Sequence, residues 1–148
     1  MKRSGISIFL FTVFMMGPLT AAHAQQTAEV YLAGYKQVPA VNSSGSGSVT
    51  VTVRSDTLSV EGRFGGLVSD YRSSSIHYGS ERERGNQLFA LSVQAGEDRR
   101  SGTFSKEENS FSLRPSLQDA LEAGELYISI ASDRYQRGEI RGQIPAMN

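Results

Sequence analysis

From Gln25 onward, apolar and polar residues alternate with a period of two. Val30 and Leu32 alternate with Tyr31 and Ala33, and Val49, Val51 and Val53 alternate with Thr50, Thr52 and Arg54. Leu58 and Val60 alternate with Ser59 and Glu61, and Phe64 continues that edge beyond Gly62. Leu88, Ala90 and Ser92 face away from Phe89, Leu91 and Val93; Leu126, Ile128 and Ile130 share one side, and Ile140, Gly142 and Ile144 another. Successive side chains of a strand point to opposite faces, so each series predicts a strand with one buried face. The β-branched and aromatic content of these runs supports that reading.

Turn signals separate the runs. Asn42 to Gly47 reads as a flexible connection, Ser55-Asp56 as a tight hairpin turn, and Gly65-Gly66 as a strand end. Gly79 to Asn86 and Gly96 to Arg100 read as polar loops. One segment departs from the two-residue period: Leu117 and Leu121 lie four apart, and Gly124 stands where a helix would stop. This predicts one short helix, Ser116 to Ala123, crossing between sheets. Many short strands with regular turn signals predict an all-β sandwich or barrel.

The first residues obey another logic. Lys2 and Arg3 precede an apolar run from Ile6 to Met16, Gly17-Pro18 breaks it, and Ala22-His23-Ala24 has the small-x-small form of a cleavage site. The run falls short of the roughly 20 residues that span a bilayer. Residues 1–24 are therefore expected to be a signal peptide cut after Ala24, and residues 25–148 a single β domain, secreted or periplasmic and free of the membrane after cleavage. No cysteine follows the apolar run to carry a lipid, and none is available for a disulfide, so packing and hydrogen bonding must hold the domain. Loss of Lys2 and Arg3 makes a formally neutral chain mildly acidic, and the remaining bases interleave with acids, as in Glu81-Arg-Glu-Arg84. That pattern is a solvated surface and excludes a nucleic-acid footprint, which needs a clustered basic face.

The closing Gly138-Glu-Ile-Arg-Gly-Gln-Ile144 resembles the last hairpin of the CHRD domain, the module repeated in chordin and also found singly in bacterial exported proteins. The stretch from Leu32 through Val38-Pro39-Ala-Val41 to Gly47 resembles the family's L-x-G-x-x-E-V-P-P-V-x-S opening, with Gln37 for the usual Glu and Ala40 for the second Pro. Gly66-Leu67, and Gly79 to Leu91, match further segments in order. The resemblance implies an immunoglobulin-like, Greek-key β-sandwich or barrel of the kind compared with superoxide dismutases. It also implies a test of chemistry. Family members often carry His-Ile-His on a strand and a third His near the last hairpin. Strand residues i and i+2 share a face about 6.6 Å apart, so such imidazoles can grip a transition metal. Here the matching positions are Ser75-Ile76-His77 and Ala131, which leaves one imidazole. No metal and no cofactor is expected, and a metal- or redox-linked dismutase-like enzyme is the disfavoured alternative.

Other chemistry is equally sparse. His77 is a weak candidate for a general base or pH sensor, and the plain reading is a hydrogen-bonded strand-end histidine. Ser73, Ser74, Ser75 and Asp70 lie near it in sequence, without a nucleophile elbow. The carboxylate pairs Glu81/Glu83, Glu107/Glu108 and Asp119/Glu122 fall on loops or the short helix beside bases, as surface charge does. Glu139 and Arg141 flank Ile140 and are expected to share a face, as a structural ion pair or with the arginine fork tying strand or loop carbonyls together. With Gly138 and Gly142 they form a structural signature. No catalytic residue is assigned. The candidate interaction residues are Tyr78, Arg82, Arg84, Arg134, Tyr135 and Arg137 on two loops, since tyrosine and arginine are enriched in binding hot spots and scaffolds carry function on loops. The expectation is an exported, non-enzymatic binding module whose partner is a protein or glycan.

Overall fold

The computed structural model describes residues 24–148; the expected signal peptide lies outside them except for Ala24. Ten strands form one continuous antiparallel sheet: β1 (Gln26–Ala33), β2 (Ser46–Arg54), β3 (Thr57–Gly65), β4 (Tyr71–Tyr78), β5 (Gln87–Ala90), β6 (Gln94–Ala95), β7 (Gly102–Phe104), β8 (Ser110–Ser112), β9 (Leu126–Ser132) and β10 (Ile140–Ile144). Their spatial order is β5-β4-β9-β10-β1-β2-β3-β7-β6, with β8 also paired to β3. Chain neighbours β1-β2-β3 form a meander; the chain then crosses from β3 to β4 on the far side of the sheet, and returns through β9 and β10 to β1. The sheet curls over a single core, which makes the protein an all-β, sandwich-like half-barrel.

The two-residue period is what closes the core. Val30, Leu32, Val49, Val51, Leu58, Val60, Phe64, Ile76, Leu126, Ile128, Ile130, Ile140 and Ile144 are all buried, while Tyr31 between Val30 and Leu32 stays exposed. Each large aliphatic chain so buried contributes about 1.5–3 kcal/mol. The Ser55-Asp56 hairpin is present, with Arg54 opposite Thr57 and Ser55 at φ 56°.

The helix α1 runs Pro115–Glu122, starting on a proline at its first turn and ending before Gly124 at φ +71°. It links β8, on the β3 side, to β9, and it buries Ala120 and Leu121 against the core. Among the described residues no helix is long and apolar enough to cross a membrane.

Two local expectations need correction, and two short strands carry no signal in the sequence. Asn42 to Gly47 is anchored rather than flexible: Ser43 Oγ donates to Glu139, Ser44 Oγ donates to the Gly66 carbonyl at 2.9 Å, and β2 has already begun at Ser46. Strand β5 ends at Ala90 instead of continuing to Val93. Beyond it, the fully buried Asn109 acts as a substitute strand: its Oδ1 accepts from Ser92 N–H at 2.7 Å and its Nδ2 donates to Ser92 O at 2.9 Å. Strands β7 and β8 are three residues each, too short to register as alternation.

Candidate functional site

Strand β9 is buried at all seven positions. Its inner face, Leu126, Ile128 and Ile130, joins the core. Its outer face, Tyr127 and Ser129, sits in a polar layer that spans three strands. Register places Ser75, Ser129 and Arg141 in one cross-strand row, and His77, Tyr127 and Gln143 in the next. Cross-strand neighbours stand about 4.5–5.5 Å apart, so the residues within each row are in contact. The loop of residues 79–86 covers them.

The loop is held by its own backbone. Arg141 donates from Nη1 to Glu83 O at 2.7 Å and from Nη2 to Ser80 O at 2.6 Å and Gln143 Oε1 at 3.0 Å. Gln143 Nε2 donates to Gly79 O at 2.9 Å and Gly124 O at 2.8 Å. Gly85 N–H donates to the Tyr127 hydroxyl at 3.2 Å. Gly85 is required for close approach: a Cβ there would lie 1.6 Å from Tyr78 O. The Arg141 guanidinium lies 3.5 Å from the Tyr127 ring centre, a cation–π contact, and the His77 ring stacks on Tyr127 at 5.0 Å with 9° between planes. Strand order puts the tyrosine between the two.

Hydrogen bonding fixes the tautomer of His77. A carbonyl only accepts, so Nδ1, 3.1 Å from Gly85 O, carries the proton. Nε2 then accepts from Ser75 Oγ at 2.8 Å. Burial pushes the imidazole below its ordinary pKa, and the cations Arg141 and Arg84 push it the same way, against the Gly85 hydrogen bond. Burial also lowers Arg141, which remains charged.

Ser75 and His77 touch, but the arrangement is no triad. Ser75 is buried, no carboxylate orients the imidazole, and Asp70 is engaged with Arg99 at 3.1 Å. Nor does the donor set fit the transition metal that His-Ile-His implies. Both His77 nitrogens are committed to Ser75 and Gly85, the hydroxyl of Ser75 stands where an imidazole would be, Ala131 offers no donor, and a guanidinium flanks the ring stack.

Glu139 and Arg141 do not pair with each other. Both are buried, but Glu139 Oε1 accepts from Ser43 Oγ and from Val68 N–H (2.9 Å), while Oε2 has no hydrogen-bond partner among the described residues. Of the two expected arrangements the arginine fork tying loop carbonyls is the one present; the ion pair is not. Gly138 adopts φ +122°, and a Cβ on it would lie 2.4 Å from Gln37 Nε2 and 2.6 Å from Ser129 Oγ. Gln37 uses that space to donate to Ser129 Oγ and Ile140 O, both at 3.1 Å. Gly142 lies within β10 against Val30 and Leu32.

Of the loop candidates, Arg82, Arg84, Arg134 and Arg137 are exposed and Tyr135 is half-buried. The Arg84 guanidinium donates to the Arg137 carbonyl, which joins the two loops. Arg134 lies 5.8 Å over the Tyr135 ring. Tyr78 is not part of this group: its hydroxyl donates to Glu125 Oε2 at 2.9 Å, at the opposite end of β9 from Tyr135. A cleft of about 650 Å³ opens beside the polar layer, between residues 35–40 and Glu81-Arg82, with Arg141 and Gln143 in its wall.

Sequence reasoning missed Tyr127, Ser129, Gln37 and Gln143 as members of the layer. Gln143 had a signal, the i, i+2 spacing from Arg141. Tyr127 and Ser129 had none, since polar residues opposite an apolar face are the pattern of a half-exposed strand.

The CHRD domain family model matches residues 28–144, nearly the whole of the described chain. Among curated proteins and solved structures, nothing matches. The CHRD domain is in general a binding or interaction module, and the family is not known as enzymatic. By that match over its length, and by the closing hairpin that carries Gly138, Arg141 and Gly142, the chain belongs to the CHRD domain family.

Proposed function

We propose that the protein is an exported, non-enzymatic binding module, and that a protein or glycan partner docks on the joined loops bearing Arg82, Arg84, Arg134, Tyr135 and Arg137. One observation carries this reading. The chemistry-capable side chains His77, Tyr127, Arg141 and Gln143 all bond to the 79–86 loop or to each other, so they act as a platform beneath an arginine-rich surface. A rigid platform lowers the ordering cost of binding. Processing after Ala24, in the periplasm or during release, delivers the domain beginning at Gln25.

The test has two arms. Intact-mass analysis of the protein recovered from the cell envelope and medium should give a chain starting at Gln25; a retained leader in both fractions contradicts export by cleavage. Partners captured from envelope fractions are then bound by the wild type and by an Arg82→Ala/Arg134→Ala/Arg137→Ala variant. These exposed side chains affect stability by about 0.5 kcal/mol or less each, so the expected outcome is loss of binding without loss of folding. Equal binding by both contradicts the assigned surface.

A further inference from the structure

Arg141 is 1% exposed, and the groups that it bonds or stacks on are neutral: the carbonyls of Ser80 and Glu83, the amide oxygen of Gln143 and the face of Tyr127. The two ion pairs among the described residues, Arg72 with Asp133 and Arg99 with Asp70, do not involve it. Buried charges ordinarily have a counter-charge, because a desolvated ion is costly when neutral groups alone solvate it. Among the described residues no carboxylate lies within ion-pair distance of Arg141, Glu81 at the rim acts on it only at longer range, and the side chain lines a cleft. Its hydrogen bonds occupy one Nη1 and two Nη2 donations, which leaves Nε–H and one Nη1 hydrogen of the five.

The rest of the cleft points the same way. Lys36 and Arg82 add positive charge at the rim against Glu81 alone. Gln37 is buried with its Nε2 committed to Ser129 and Ile140, which turns Oε1 into the free acceptor of a fixed amide. Tyr35 is 74% exposed at the edge, beside Val38, Pro39 and Ala40. The volume, about 650 Å³, lies in the usual small-ligand range of roughly 300–1,000 Å³.

We infer that this cleft binds a saccharide carrying a carboxylate, a uronic acid unit. The carboxylate supplies the contacting counter-charge that Arg141 lacks and meets Lys36 and Arg82. Ring hydroxyls donate to Gln37 Oε1, and the C–H face of the ring lies on Tyr35. An acidic peptide satisfies the charge but offers neither the array of hydroxyls nor the flat apolar face. The inference deepens the reading of the domain as a binding module by naming the glycan chemistry, and it rests on that reading.

The test is calorimetric titration of the purified protein with trigalacturonate, with its methyl ester, and with an acetylated triglutamate peptide. Trigalacturonate should bind below about 1 mM, and the ester, which keeps the sugar body and loses the charge, about tenfold more weakly. Arg141 also holds the 79–86 loop, so the diagnostic variant is Lys36→Ala/Arg82→Ala at the rim; it should weaken trigalacturonate about fivefold or more with an unchanged melting temperature. Equal binding of acid and ester, no binding of the acid, or an unaffected rim variant overturns the site. Triglutamate binding as tight as trigalacturonate overturns the saccharide assignment. A partner captured through Arg134 and Arg137, with no uronate binding, overturns the cleft while leaving the binding-module reading intact.

Discussion

The guanidinium of Arg141 lies 3.5 Å over the ring of Tyr127, on the outer face of the sheet, and the same guanidinium reaches the carbonyls of Ser80 and Glu83. One side chain therefore couples the central strands to the loop above them. Lysine has neither the fork nor the planar stacking surface. Arg141→Ala removes charge-assisted hydrogen bonds worth about 1.5–3 kcal/mol each before relaxation. The variant should lose about 3 kcal/mol in total, a fall in melting temperature of about 10 °C for a domain of this size. Arg141→Lys should recover less than half of that loss. Thermal unfolding followed by circular dichroism reads both, and an unchanged midpoint in the alanine variant contradicts the role.

The pH dependence of stability follows from His77. Its folded pKa lies below its ordinary value, so the unfolded chain binds the proton more readily. This contribution to stability is full above the unfolded pKa, near 6.5. It is lost progressively as pH falls through that value toward the lower folded one. Urea unfolding at about pH 7.5 and pH 5 should show the wild type losing more stability than His77→Gln, because other groups titrate in both proteins and cancel. The same loss in both, or a wild type that gains stability on acidification relative to the variant, contradicts a neutral imidazole under the loop.

Asn109 is fully buried and completes the segment where β5 stops. It exchanges hydrogen bonds with both backbone groups of Ser92 and donates to Ser105 O at 2.9 Å. Asn109→Ala removes three hydrogen bonds, each with a net worth of about 0.5–1.5 kcal/mol, and Ser92 is exposed enough for water to replace part of them. Urea unfolding should show a loss of about 3 kcal/mol. Asn109→Asp keeps the acceptor for Ser92 N–H but sets a carboxylate oxygen against the Ser92 and Ser105 carbonyls in a buried site, and should lose at least as much at neutral pH; wild-type stability in the alanine variant contradicts the account.

Much of the fold was legible because the alternation of Val49-Thr-Val-Thr-Val53 or Leu126-Tyr-Ile-Ser-Ile130 has one physical solution, a half-buried strand. The short helix was legible for the same kind of reason, two leucines four apart ahead of Gly124. What alternation does not encode is coverage of the second face. Tyr127 and Ser129 occupy positions that the period assigns to solvent, and only the loop of residues 79–86, far along the chain, makes them interior. Glu139 and Arg141 looked like partners because they lie two apart; apart from Gln143, their hydrogen-bond partners come instead from residues 43, 68, 80 and 83, through contacts that no local pattern encodes. Strand β5 was overextended for a related reason: a side-chain amide can take the place of a neighbouring strand without altering the local sequence of hydrophobics.

Gly138 tests the packing below the hairpin. Its φ of +122° is unfavourable for any residue with a Cβ, and the added carbon would lie 2.4 Å from Gln37 Nε2 and 2.6 Å from Ser129 Oγ. Gly138→Ala should cost about 2–4 kcal/mol, from backbone strain and from displacement of the Gln37 amide from Ser129 and Ile140. A melting temperature within error of the wild type contradicts the geometry of this corner.

The central claim is that the polar layer exists to hold the 79–86 loop in place, and the Gly85 amide, bonded to the Tyr127 hydroxyl at 3.2 Å, reports on it most directly. Amide hydrogen exchange of Gly85 should be slow in the wild type and about tenfold or more faster in Tyr127→Phe, with the amides of the core strands unchanged. A Gly85 amide that exchanges at the rate of an open loop in the wild type, or one indifferent to loss of the hydroxyl, would contradict it.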